Sequence, residues 1–131
     1  MKEKLKQSRA KIRWEQEYSS LYIKEAYSNL RSISISIKIV FESAVLALPV
    51  EKEYSRTLTP NDRLFLHYDC LNPGCTGHGF DLTNILRTSI ERKQSIQDTL
   101  FCDGKEDWKY LHASGCSCMT KLFYKIEPEF I

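Results

Sequence analysis

The stretch Ser32-Ile33-Ser34-Ile35-Ser36-Ile37-Lys38-Ile39-Val40-Phe41-Glu42 decides the fold class. Ile33, Ile35, Ile37, Ile39 and Phe41 alternate with Ser32, Ser34, Ser36, Lys38 and Glu42, and Val40 is the single apolar member of the polar set. Successive side chains of a strand point to opposite faces, and β-branched residues suit the pleated backbone. A strand with one polar face belongs in an antiparallel sheet that is wet on one side.

Upstream, residues 1 to about 30 contain neither Gly nor Pro and are rich in Lys, Glu, Gln, Arg, Leu and Ala, a helix-favouring composition. Trp14, Tyr18, Leu21, Tyr22 and Ala26 recur at helical spacing, so the second half of this helix is expected to dock on the sheet. Ile12, Ile23, Tyr27 and Leu30 lie toward the other side. A helix apolar on more than one side is either sandwiched or shared with another chain. Trp14, Tyr18 and Tyr22 are therefore the candidate contacts for a protein partner or a homodimer, because Tyr and Trp dominate binding hot spots.

Downstream, Ala44 to Leu48 reads as a second strand or as a continuation of the first past a bulge, and residues 51–62 read as a polar connection closing in the turn Thr59-Pro60-Asn61-Asp62. Leu64, Leu66 and Tyr68 alternate with Phe65, His67 and Asp69 in a strand that runs into Cys70. Asp81 or Thr83 caps a helix expected over about 82–93. Thr99 to Cys102 reads as a short strand, and a final strand runs from Met119 to about Glu127 until Pro128 stops it.

The strand ends carry the chemistry. Cys70-Leu71-Asn72-Pro73-Gly74-Cys75 sets two thiols around a Pro-Gly turn, with His78 three residues on. Cys102-Asp103-Gly104 and Cys116-Ser117-Cys118 repeat the pattern of thiols among turn-forming residues. Zinc takes four such ligands in a tetrahedron. The expected set is Cys70, Cys75, Cys102 and one of Cys116 and Cys118, with His78 in reserve. Five cysteines cannot all pair as disulfides, and clustered thiols in a reducing compartment are more often metal ligands. From Tyr68 to Cys118 the order of knuckle, helix and second knuckle resembles zinc-ribbon and treble-clef modules in general outline, without a motif that carries a functional residue over.

Composition bounds the remainder. The chain has 131 residues, 42% hydrophobic and 27% charged, as in a globular domain. No apolar run approaches a membrane span, and a cytoplasmic location is expected. The net charge is +2, yet Lys2, Lys4, Lys6, Arg9, Lys11 and Arg13 face Glu3 alone in the first thirteen residues. That arm would attract a polyanion.

The motifs of zinc deaminases, zincins, phosphate loops and serine-hydrolase elbows do not occur. A Cys118 and His112 nucleophile pair is the remaining route to a small zinc- or Cys/His-dependent enzyme. The fold expected is one α+β domain over residues 1–131. It has a long N-terminal helix packed on a four- to five-stranded antiparallel sheet, one short helix and a zinc knuckle, with residues 1–13 projecting as a basic helical arm. The function expected is a non-enzymatic protein-binding module or inhibitor stabilised by structural zinc, such as an accessory or inhibitory factor of a mobile element. The alternative is a nucleic-acid-binding zinc protein that uses the basic arm, with Phe65, Tyr68 or Phe123 stacking bases from the sheet.

Overall fold

The isoleucine row of residues 33–39 lies in strand β1, Leu30–Phe41, which pairs along its length with β2, Val50–Leu58, on one side and β8, Lys121–Phe130, on the other. The computed structural model describes residues 2–41, 50–71, 79–102, 105–106, 116–117 and 120–131, with backbone alone for 2–10, 105–106 and 116–117. Strand β5, Ile96–Phe101, completes an antiparallel sheet of order β2-β1-β8-β5. Two small ladders accompany it: β3, His67–Tyr68, with β4, Phe80–Asp81, and β6, Lys105–Glu106, with β7, Cys116–Ser117. The helices are α1, Lys2–Ser19; α2, Ile23–Ala26; and α3, Thr83–Arg92. This is an α+β arrangement, and none of the described helices is long and apolar enough to cross a membrane.

Register carries the alternation of β1 into its neighbours. Ile35, Ile37 and Ile39 stand opposite Ile126, Tyr124 and Leu122, so one face of the sheet is apolar across both central strands. Leu86 and Ile90 of α3 join that core, as do Ile23, Leu58, Leu64, Leu66, Phe80 and Leu82. Burying each such side chain contributes about 2 kcal/mol. Asp81 Oδ1 accepts from the Thr83 amide at 3.0 Å and starts α3. Lys93, at φ 52°, ends it in the left-handed conformation, with its amide donating to the Ile90 carbonyl at 3.2 Å.

Several elements differ from expectation; the strand expected over Leu64 to Asp69 is only the two residues of β3, and the strand expected from Thr99 starts at Ile96 and ends at Phe101. The N-terminal helix stops at Ser19 instead of reaching Leu30, because the 59–64 loop takes up the backbone groups that a helix would use. Ile23 N donates to Asp62 O at 2.9 Å, Lys24 N to Pro60 O at 3.0 Å, and Leu64 N to Leu21 O at 2.7 Å. Residues 50–58, read as a connection, form β2. As an edge strand β2 is mostly exposed, so its sequence lacks an apolar face, and Leu58 is its one fully buried side chain. Strand β8 runs through Pro128 to Phe130. There β5 has already ended, at the Ile96 to Ile126 pair, so β8 has one neighbour and the missing N–H is tolerated. The turn at Thr59 to Asp62 forms as expected, with Thr59 N donating to Asp62 Oδ2 at 2.7 Å. The strand expected at Ala44 to Leu48 lies outside the described residues.

Truncation in the centre of the sheet should be costly. Ile39→Ala should lower the unfolding free energy by about 3 kcal/mol in a urea titration, whereas Ser36→Ala on the exposed face should stay within about 0.5 kcal/mol of wild type.

Three tyrosines add a pH dependence. Tyr27, Tyr68 and Tyr124 are all raised above the ordinary 10.0, chiefly because burial disfavours phenolate. Glu91, which accepts from Tyr27 at 2.8 Å, and Asp98 near Tyr124 add to the effect, while Arg56 opposes it at Tyr68. Each favours the protonated form in the folded state, so its contribution is complete below pH 10 and is lost as pH rises through the raised value. The urea midpoint should fall above pH 10, and Tyr124→Phe should lose less over the same interval.

Candidate functional site

Two of the expected metal ligands meet at one residue. Thr120, fully buried at the start of β8, accepts the Cys102 amide on its carbonyl at 3.0 Å, and its Oγ1 lies 3.1 Å from Cys70 Sγ. The ends of three segments, Cys70 after β3, Cys102 after β5 and Thr120 before β8, therefore converge on one end of the sheet. In the thiolate form that a metal requires, the Thr120 hydroxyl becomes the donor to sulfur and stabilises its charge. Thr120 escaped sequence reasoning because a buried threonine beside a strand start carries no motif.

Cys116 sits in β7, whose backbone pairs with Glu106, four residues beyond Cys102. Cys75, Cys118, His78 and His112 lie outside the described residues, as does the Cys116 side chain. Among the described residues no three His, Cys, Asp or Glu side chains converge. The described thiols at this end of the sheet are Cys70 and Cys102, with the buried Thr120 hydroxyl beside the first.

Gly79 closes the stretch that begins at Cys70. Its φ is +82°, and a Cβ there would meet the Tyr68 carbonyl oxygen at 2.5 Å, so the return into β4 demands glycine. The His67 ring lies parallel to that of Phe65 with centroids 6.3 Å apart.

Helix α1 is tethered by charge and aromatic stacking, with no buried apolar stripe among its described residues. Arg13 pairs with Asp69 at 2.9 Å, next to Cys70. Trp14 and Tyr18 stack with centroids 5.3 Å apart. Arg63 extends the ladder, its guanidinium 5.5 Å from the Tyr18 ring and 4.1 Å from that of Tyr22, while Nη1 donates to the Ser20 carbonyl at 2.7 Å. Trp14 and Tyr18 nevertheless remain 63% and 67% exposed.

The docked face expected of Trp14, Tyr18 and Leu21 is thus an outward one. Too little apolar surface lies beneath the helix, and a guanidinium fills the space between its rings. Tyr22 is half-buried, and its amide donates to Glu25 Oε2 at 2.9 Å, so it serves the start of α2 as well as the ladder. Tyr27 packs against the core.

Of the basic arm, Lys11 is exposed and Arg13 is committed to Asp69, while the side chains of Lys2, Lys4, Lys6 and Arg9 lie outside the described residues. Among the aromatics proposed for base stacking, Tyr68 is half-buried against Tyr54 at 5.1 Å, and Phe123 stands exposed on the open face of the sheet. No protein-family model, curated protein or solved structure matches the chain.

The ladder depends on the planar guanidinium. Arg63→Ala should raise amide hydrogen exchange across residues 11–22 at least several-fold and leave β1 unchanged. Arg63→Lys should not restore protection, because an ammonium cannot cover both rings.

Proposed function

We propose that the chain is a non-enzymatic binding domain, fastened at one end of its sheet by a structural zinc and engaging a protein partner through α1. The observation that carries this reading is the meeting of Cys70 and Cys102 at Thr120, although 32 residues separate the two cysteines in sequence. Cys70, Cys75, Cys102 and one of Cys116 and Cys118 would hold the ion. When bound, it would cross-link the ends of β3, β5 and β8, a useful addition to the modest core of a small domain.

Four thiolates leave no open position for water, which is why the reading is structural and not catalytic. With the metal at one end of the sheet, the outward rings of α1 are free to form the contact surface. Aromatic rings held in place by Arg63 would lose little side-chain freedom on binding, which favours affinity. A compact module of this kind suits an accessory or inhibitory factor that acts by occupying another protein.

One set of variants tests both halves. Protein purified without chelator should contain one zinc per chain by elemental analysis. Cys70→Ser and Cys102→Ser should each abolish metal binding and lower the melting temperature, whereas His78→Ala should do neither. Trp14→Ser with Tyr18→Ser should retain zinc and wild-type melting while losing the partner recovered with the wild-type chain. Metal-free wild-type protein would overturn the zinc assignment, and partner retention by the double variant would overturn the role of α1.

A further inference from the structure

The second face of the main sheet offers a different site. Its described residues are exposed or half-buried, while α3 and the Leu64 to Leu82 core residues lie on the opposite face. A shallow concavity of about 700 Å³ crosses all four strands there, with Phe123 in its lining. Register fixes the pattern: Lys38 stands opposite Phe123, Phe123 opposite Thr99, and Lys121 opposite Phe101. Phe101 and Phe123 therefore occupy diagonal positions on adjacent strands, about 7 to 8 Å apart. They are 68% and 42% exposed.

Three lysines surround these rings. Lys121 Nζ lies 5.9 Å from the Phe101 centroid. Lys38 and Lys125 contact Glu51 at 3.7 Å and Glu127 at 3.4 Å, in exposed ion pairs that contribute little and exchange readily for another anion. The acidic residues of this face, Glu51, Glu53 and Glu127, stand on β2 and toward the far end of β8, which leaves the β8–β5 half aromatic and basic. Lysine is depleted at protein–protein interfaces, whereas exposed rings flanked by lysines are how sheets bind unpaired bases and their phosphates.

We propose that the β8–β5 half of this face binds single-stranded nucleic acid, with neighbouring bases stacked on Phe101 and Phe123 and phosphates on Lys38, Lys121 and Lys125. A duplex is excluded because its bases are stacked on one another and offer no free face. The site is separate from α1 and from the basic arm at residues 1–13, and it does not rest on the zinc reading.

Fluorescence anisotropy of the full chain with fluorescein-labelled dT12 and rU12 tests the proposal. Saturable binding is expected at low salt, with affinity falling at a logarithmic slope of about 2 for three phosphates. Phe101→Leu and Phe123→Leu should each weaken binding about tenfold or more, while Phe→Tyr at either position keeps the ring and the affinity. Lys121→Glu with Lys125→Glu should abolish binding, and circular dichroism should show every variant folded. Several results would overturn the site: no anisotropy change at low salt, equal competition by an unlabelled duplex, or wild-type affinity in the Phe→Leu variants. If those variants bind the probe normally but lose a co-purifying protein, the face is a protein interface instead.

Discussion

One constraint shapes the molecule: β1 has a face of isoleucines that water must not reach, and it lies between two other strands. Neither β2 nor β5 could bury that face alone, because β2 is largely polar and β5 is short. The partner that matches it is β8, whose Leu122, Tyr124 and Ile126 fall in register with Ile39, Ile37 and Ile35. Once those two strands pair, α3 and the Leu64, Leu66, Phe80 and Leu82 cluster must cover the face they share. The remaining elements are placed by that requirement.

Covering one face determines what happens at the strand ends and on the opposite face. The segments leading out of β3 and β5 and into β8 reach the same end of the sheet, and Thr120 holds two of them together through its carbonyl and hydroxyl. The opposite face, with its serines, lysines and two phenylalanines, has no covering element among the described residues.

Helix α1 obeys different physics from the sheet. It carries its basic residues in its first thirteen positions and Glu15 and Glu17 near its C-terminus, which is the reverse of what the helix dipole favours. Its hold on the domain comes from Arg13 with Asp69 and from the stacking of Arg63 between Tyr18 and Tyr22. Contacts of that type fix orientation more than they add stability, because exposed ion pairs and cation–π contacts each contribute about 1 kcal/mol or less. A helix held this way keeps its outer rings, Trp14 and Tyr18, in water.

The sequence by itself determined the elements whose signal is periodic or local. The alternation of residues 32–42 specified β1 and the antiparallel sheet, Thr59 to Asp62 specified a turn, and Asp81 to Lys93 specified α3, whose N-cap position is Leu82, without a side-chain cap, instead of Asp81 or Thr83. Tertiary structure alone decided the rest. Edge position made β2 from a polar run, the early end of β5 let β8 continue through Pro128, and competition from the 59–64 loop for backbone hydrogen bonds ended α1 at Ser19. The meeting of Cys70 and Cys102 at Thr120 and the side-by-side placement of Phe101 and Phe123 are likewise products of strand register, which joins residues distant in sequence and leaves no trace in either segment alone.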